Sequence, residues 1–356
     1  MPFRIPRFPS VTATELGTRW ASASQKRWHK MPFQLSLFHI IAVVLLVISS
    51  AILNQGKTTP EPEVCASHAQ PNPLAELFPN NATGVLNATL AIIPISLETA
   101  RRLIPPQYGI LERAYRALLP DFPEGMYPVM VQAAHDHDIQ FRAYGITIDD
   151  FSRVGFEFPF LDLLGDGYSS FRWAPAQLLT ASHGIAVQGS RDYGTIVTPA
   201  EWDPPCDAYR ALPNGNTVFK GKSVSSSEFI EVEMSRLKDL TLNPYPLELF
   251  KNITNQPTFA NASSCDNMIR WFNTTMSVGK FAPAPVLGRI RANAFPYEGT
   301  EREWTDVYGV QVATPFIENN YLDCRTMQGY VGTGGPGDSY TVEGGNIINQ
   351  DRSMEL

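Results

Sequence analysis

The chain has 356 residues, of which 44% are apolar, and its 28 basic and 35 acidic side chains give a formal net charge of -7. That length and apolar content are sufficient for a buried globular core. Because the first 30 residues are basic, the acidic excess lies in the rest of the chain and argues against nucleic acid and anionic lipid surfaces as partners.

The N-terminal segment has the charge pattern of a membrane anchor. Residues 1–30 carry six basic side chains and one acid, which predicts a cytosolic tail without a fold. Residues 33–53 are uncharged and long enough to cross a bilayer as one helix. The positive-inside rule then places the remaining chain in the lumen of the endoplasmic reticulum or Golgi, as a single-pass membrane protein. The alternative is a cleaved signal peptide, whose apolar stretch is usually shorter, at about 7 to 15 residues.

Modification sites agree with a secretory location. Every N-glycosylation sequon lies after the predicted span: Asn81, Asn87, Asn252, Asn261 and Asn273. The same is true of every cysteine: Cys65, Cys206, Cys265 and Cys324. We expect two disulfides in an oxidising lumen, with three connectivities open, and the alternative is free buried thiols.

The luminal part divides by composition into three segments. Residues 54–80 are rich in proline and predict a stalk, residues 81–331 a folded domain, and the Gly-rich residues 332–356 a flexible C-terminal tail.

The domain is predicted to be mainly β (α+β). After a first strand over 87–93, Ser96 is placed to cap a helix that runs to Leu103, and a second helix fits 108–119. A third helix is predicted around 247–252. Short apolar segments between turn signals predict an antiparallel meander, with strands over 127–134, 139–148, 152–164, 168–179, 216–224, 229–237, 268–276, 286–295 and 306–314. Strands do not alternate with long helices, which disfavours a doubly wound parallel sheet.

One stretch of this domain resembles a known family. The run Gly-Ser-Arg-Asp-Tyr-Gly at 189–194 is similar to the first half of the Gly-Gly-Arg-Glu-x-Trp-Gly-Phe-Pro-Lys-Lys motif of the acetoacetate decarboxylase-like proteins. Val197 and Thr198 stand where that motif has its two lysines, one of which forms a Schiff base. The early helix at 97–111 and the apolar strand at 156–160 also resemble the family, so the similarity covers about residues 87–235.

The resemblance implies a cone-like antiparallel β-barrel with an internal pocket for a small organic acid, ketone or polyketide-like molecule. It implies that Arg191 holds a carboxylate or enolate there and that Asp192, Tyr193 and Glu157 act as acid or base. The alternative for Arg191 is a structural ion pair. Neither Val197 nor Thr198 can form an imine, so the departure predicts chemistry without one.

A second polar cluster is His135-Asp136-His137-Asp138, expected at the end of a strand. In a strand, alternate side chains point to the same face, so His135 and His137 share one face and supply two metal ligands at most. The alternative is that this cluster is a polar turn. Asp136 and Asp138 have the spacing of the acidic pair in glycosyltransferases, many of which share a single N-terminal anchor.

These observations predict a membrane-anchored luminal enzyme of small-molecule biosynthesis, a lyase, cyclase or isomerase that acts without an imine and without a cofactor. Its expected partners are a small-molecule ligand and the membrane. Two alternatives stay open: a non-catalytic ligand carrier on the same barrel, and a type II glycosyltransferase.

Overall fold

The computed structural model describes residues 71–272 and 278–329, and the backbone of 340–343 and 346–349. The described residues do not include the predicted cytosolic tail, the predicted membrane span or most of the predicted stalk. Cys65 and Asn273 also lie outside them. Within the described ranges, no helix is both long enough and apolar enough to cross a membrane.

Four α-helices and seventeen strands form the described fold. The helices are α1 (Leu97–Leu103), α2 (Glu112–Leu118), α3 (Gly184–Asp192) and α4 (Leu247–Asn255). The strands are β1 (Ala82–Ser96), β2 (Gly109–Ile110), β3 (Met126–Phe141), β4 (Ile146–Ile148), β5 (Phe151–Asp162), β6 (Phe171–Trp173), β7 (Ala176–Thr180), β8 (Ile196–Asp203), β9 (Arg210–Ala211), β10 (Thr217–Ser223), β11 (Phe229–Arg236), β12 (Thr258–Phe259), β13 (Cys265–Arg270), β14 (Ala284–Asn293), β15 (Arg302–Leu322), β16 (Tyr340–Glu343) and β17 (Asn346–Asn349). Short 3-10 turns cover Arg142–Tyr144, Leu240–Leu242, Gly279–Phe281 and Cys324–Met327. The prediction of a mainly β fold is confirmed.

The strands pair into a closed ring. Its order is β5-β7-β8-β10-β11-β14-β15-β1-β3, and β3 pairs again with β5. A smaller circuit branches from it through β6, β12 and β13, and β13 returns to β15. Strands β1, β3, β5 and β15 therefore belong to both circuits, and their facing side chains enclose an interior.

The ring is not wholly antiparallel, which corrects the predicted meander. Strands β7 and β8 are parallel because α3 connects them as a crossover, and β6 and β12 are parallel as well. His183 caps α3 through its ring, where Nδ1 accepts the Ala186 N–H at 3.0 Å. The break between β6 and β7 falls at residues 174–175, where Pro175 interrupts the ladder.

Local signals account for the helix boundaries. Ser96 caps α1 as expected, with its hydroxyl accepting the Thr99 N–H at 3.1 Å. The helix predicted over 108–119 is shorter in the structure, because residues 109–110 pair with β5 and α2 begins only at Glu112. The third predicted helix corresponds to α4, which extends three residues further, to Asn255.

One expectation about β3 is wrong. The His-Asp-His-Asp cluster does not end a strand; β3 continues through it to Phe141, and His135 and Asp136 are buried at 0% and 1% exposure. Both polar side chains have partners on β5, so the strand extends past them: His135 Nδ1 lies 2.9 Å from Ser152 Oγ, and Asp136 contacts Arg153.

The cysteines include one defined bridge. Cys265, at the start of β13, is bonded to Cys324, which follows β15, across a separation of 59 residues. Of the three connectivities left open by the sequence, the structure therefore has the one that contains the Cys265–Cys324 bridge. Cys206 is also disulfide-bonded.

Candidate functional site

A cavity of about 270 Å³ lies among β3, β5, β6, β13, β15 and α3. Its lining includes seven charged side chains: Asp136, Arg153, Glu157, Arg172, Asp266, Arg270 and Glu318. Burial of so many charges is costly unless they are paired. A cluster of this kind in an enclosed space is typical of a binding or catalytic site.

The alternation of strand residues explains why these side chains meet. On β13, Asp266, Met268 and Arg270 share the face that lines the cavity, and on β15 Phe316, Glu318 and Asn320 do the same. In the register, Arg270 lies opposite Phe316, and Met268 lies opposite Glu318.

Exposure then defines a direction along these two strands. It rises along β15 from buried Phe316, through half-buried Glu318, to exposed Asn320. Arg270 is therefore at the deep end, and Glu318 lies two residues, or about 7 Å, nearer the mouth.

Two of the three arginines form ion pairs inside the cavity. Arg153 Nε lies 2.7 Å from Asp136 Oδ2, and Arg172 Nε lies 3.0 Å from Glu157 Oε2. Burial works against the charge of Arg153, but Asp136 outweighs it and the pKa of Arg153 is raised. Gln132 Nε2 donates to the other oxygen of Glu157 at 3.0 Å. Among the described residues, these pairs leave two carboxyl groups and one guanidinium of the lining without an ion pair.

Arg270 is that guanidinium. Its side chain is only 2% exposed, and none of the ion pairs between described residues includes it. Nη2 donates to Gln132 Oε1 at 3.0 Å, Nη1 donates to the Thr254 carbonyl, and Nε is buried without a hydrogen-bond partner. Burial, with the nearby positive charges of Arg172 and Arg153, lowers the pKa of Arg270 to about 9. The group is still cationic at neutral pH, and its Nε–H has no hydrogen-bond acceptor among the described residues.

Asp266 and Glu318 form a carboxyl pair that shares a hydrogen bond. Burial raises the pKa of Asp266 to about 6, even though Arg172 and Arg270 favour its charged form. Burial and the charge of Asp266 raise the pKa of Glu318 well above its usual range. Glu318 therefore holds the shared proton at neutral pH, while Asp266 Oδ1 is buried without a hydrogen-bond partner. Asp266 can therefore accept a proton, and Glu318 can donate one.

The mouth of the cavity is formed by α3 and the end of β15. The rings of Tyr193 and Tyr321 are stacked, with centroids 5.1 Å apart. The Tyr193 hydroxyl accepts the Tyr321 N–H at 2.7 Å and donates to Asn320 Oδ1 at 2.9 Å. Ile185 and Tyr321 line the cavity and are 66% and 57% exposed. Ile185 and Tyr321 therefore give the entrance an exposed apolar surface, in contrast to the charged side chains of the interior.

The four predicted catalytic residues separate into two groups. Glu157 and Tyr193 line the cavity. Burial and the charge of Asp266 raise the pKa of Tyr193, so this phenol is a hydrogen-bond donor rather than a base.

Arg191 does not reach the cavity, which corrects its predicted position. It is exposed on the last turn of α3, and Arg270, Arg172 and Arg153 supply the interior guanidinium groups instead. Asp192 is exposed as well, and its carboxylate accepts from Gln188 at 2.7 Å and from the Tyr321 hydroxyl at 3.2 Å. Asp192 therefore belongs to the rim.

His135 and His137 share a face of β3, as predicted from the period of two. Their rings stack at 6.1 Å, and no group of three or more metal-ligating side chains occurs in the part of the chain that the structure describes. Asp136 is paired with Arg153, whereas Asp138 accepts from the Asn72 N–H and from Gln140. The two acids of the predicted glycosyltransferase pair thus have separate partners.

The sequons differ in exposure. Asn81 and Asn87 are buried, at 8% and 7% exposure, because both lie at or within β1. Asn252 is half-buried on α4, and Asn261 is exposed.

Sequence reasoning missed five of the charged cavity residues: Arg153, Arg172, Asp266, Arg270 and Glu318. A signal was present, because a predicted strand that contains an arginine among apolar residues, such as Met-Ile-Arg-Trp-Phe at 268–272, places a charge on a face expected to be buried. Pairing between β13 and β15, which are distant in sequence, could not be inferred from that signal.

No protein-family model matches the sequence, and no curated protein matches it. Among solved structures, the chain is similar to the enduracididine biosynthesis enzyme MppR with HEPES buffer bound, at 9% identity and a TM-score of 0.38, over 68% of this chain and 88% of that one. It is also similar to MppR complexed with the condensation product of pyruvate and imidazole 4-carboxaldehyde, at 9% identity and a TM-score of 0.34, over 68% and 90% of the two chains.

Proposed function

We propose that this protein is a small-molecule enzyme, a lyase, cyclase or isomerase, that acts on a keto acid or polyketide-like compound by acid-base catalysis. The observation that carries the proposal is the Asp266–Glu318 pair, which lines the cavity together with Arg270, a guanidinium without an ion pair among the described residues. Two carboxyl groups with separated pKa values are suited to accept one proton and deliver another.

The simplest step that this pair supports is enolisation next to a carbonyl group. The Asp266 carboxylate removes the proton from the carbon, the C–H electrons form the C=C bond, and the Glu318 carboxylic acid gives its proton to the carbonyl oxygen. The product is an enol, and the pair now holds one proton on Asp266 instead of on Glu318. Arg270 stabilises negative charge that develops on the substrate in this step. Lyase, cyclase and isomerase reactions can all proceed from an enol.

The proposal excludes an imine intermediate. No lysine lines the cavity in the described part of the chain, and Val197 and Thr198 are not lining residues either. Lys220 and Lys251 lie elsewhere, 2.8 Å from Glu231 and Glu248, respectively. We therefore expect cyanoborohydride, which reduces an imine to a stable amine, to leave the mass of the protein unchanged in the presence of a keto acid.

We also propose that the domain has the acetoacetate decarboxylase type of barrel and that it is anchored in a secretory membrane, with its cavity in the lumen. The closed ring of strands and the motif at 189–194 support the first part. The uncharged segment at 33–53 and the Cys265–Cys324 disulfide support the second.

The test is a comparison of small molecules between the native host and a strain that lacks the protein, with rescue by wild type, Glu318→Gln or Glu303→Gln. Glu303 is a matched control because it lies on the exposed face of β15, near Arg289. We expect one intermediate to accumulate, and wild type and Glu303→Gln to remove it while Glu318→Gln does not. Rescue by Glu318→Gln would refute acid-base catalysis by this pair and favour the carrier. Unchanged metabolites with altered glycans would favour the glycosyltransferase.

A further inference from the structure

We infer that the cavity binds an aliphatic organic acid head first, with its carboxylate on Arg270 and its carbon chain directed toward the apolar mouth. This inference rests on the proposed function in using the same cavity, and it adds the class, the size and the orientation of the ligand.

The position of Arg270 supports the proposed binding site of the ligand's carboxylate. Its Nε is buried and has no hydrogen-bond partner, although the group lines the cavity. A carboxylate that accepts this N–H would satisfy the orphaned donor and neutralise a charge that has no ion pair among the described residues. Arg153 and Arg172 are already held by Asp136 and Glu157 and therefore are not equivalent sites.

The apolar residues of the lining support the proposed position of the ligand's carbon chain. Phe259, Met268 and Phe316 are buried residues of the lining, and half-buried Ile148 and exposed Ile185 continue this apolar surface toward solvent. A fully polar ligand would leave this apolar surface wet, whereas a hydrocarbon chain covers it.

The volume limits the length of the chain. A cavity of about 150 Å³ holds benzene, with its six carbons, so 270 Å³ holds about ten non-hydrogen atoms. A carboxylic acid of that size has about eight carbons. An amine of the same length would place a cation near Arg270, Arg172 and Arg153, which disfavours it.

The test measures equilibrium binding of butyrate, hexanoate, octanoate and dodecanoate to the full chain, with octanamide and octylamine as neutral and cationic matches of octanoate. We expect octanoate to bind at least tenfold more tightly than octanamide or octylamine. Affinity should rise about tenfold for each two methylenes up to octanoate and then stop rising.

Variants identify the group responsible. Arg270→Gln should reduce the preference for octanoate over octanamide to near unity, whereas Arg289→Gln, on the outer face beside Glu233, should keep it. Measuring both variants under the same conditions cancels any uptake of the acid by detergent or lipid. If Arg270→Gln does not fold, the ligand series with the wild type alone still decides.

Equal binding of octanoate and octanamide, or of butyrate and octanoate, would overturn the inference. The two proposals fail separately. If octanoate binds as expected but the metabolites of the host are unchanged, the proposed function is wrong and the ligand class stands. If Glu318→Gln fails to rescue but octanoate does not bind, only the ligand class is wrong.

Discussion

Binding of a carboxylate to this cavity should become weaker as the pH rises from 6 to 8. The group that titrates in this range is Asp266, because burial raises its pKa to about 6. At pH 7 this carboxyl is about nine-tenths ionised in the free protein. A bound carboxylate adds a negative charge nearby and raises its pKa further, so the complex holds a proton that the free protein has lost. The bound state carries more protons, and linkage therefore makes affinity fall with rising pH.

The size of this effect follows from the charged groups that face Asp266. They are Arg172, Arg153, Arg270 and Glu318, with Tyr193 nearby at the mouth. If a bound carboxylate raises the pKa of Asp266 by about one unit, Kd rises about fivefold between pH 6 and pH 8. About 0.4 proton should then be taken up for each octanoate bound at pH 7, and about half of the complexes keep Asp266 ionised, as the proposed base requires.

Calorimetry of octanoate binding in two buffers of different ionisation enthalpy measures the proton uptake directly. Asp266→Asn should abolish both the uptake and the pH dependence. Asp203→Asn should keep them, because Asp203 lies outside the cavity in an ion pair with Arg210. Proton release, or an affinity that is constant over this range, would refute the reasoning about the carboxyl pair.

Three further predictions concern the rest of the fold. Cys324→Ser, which opens the bridge to Cys265 across 59 residues, should lower the free energy of unfolding in urea by about 4 kcal/mol; no change would show that the bridge does not restrain the unfolded chain. Glycopeptide mass spectrometry should find a glycan on exposed Asn261 and none on Asn87, and occupancy of Asn87 would contradict its burial in β1. Burial lowers the pKa of His137, so the native state binds fewer protons than the unfolded state below about pH 6.5, and its stability should fall there. His137→Gln should reduce that loss between pH 7 and pH 5.5, and an unchanged difference would assign the loss to other groups.

The sequence predicted the individual strands better than their lengths. Candidates at 216–224, 229–237 and 286–295 correspond closely to β10, β11 and β14, because their apolar residues alternate and turn residues bound them. The candidate at 306–314 recovers less than half of β15, which runs from Arg302 to Leu322. The ends of β15 are polar and exposed, and its extent depends on pairing with distant strands.

The site was predicted less well than the fold, for a related reason. The motif at 189–194 located one wall of the cavity and identified Tyr193, while the local pattern suggested Arg191, whose side chain points to solvent. The acid pair arises from register between β13 and β15, whose partners Met268 and Glu318 are 50 positions apart in the chain. Local sequence patterns carry no information about such a pairing.

Because of its position, the Cys265–Cys324 bridge makes the spacing of the acid pair depend on whether the cysteines have been oxidised. Cys265 directly precedes Asp266, and Cys324 follows Tyr321 by three residues, so the bond joins the two strands at the mouth end of the acid pair. A newly made polypeptide lacks this bond until it meets an oxidant. We therefore expect maturation to activate the protein: a copy retained among cytosolic thiols would have the same residues but a loosely spaced acid pair.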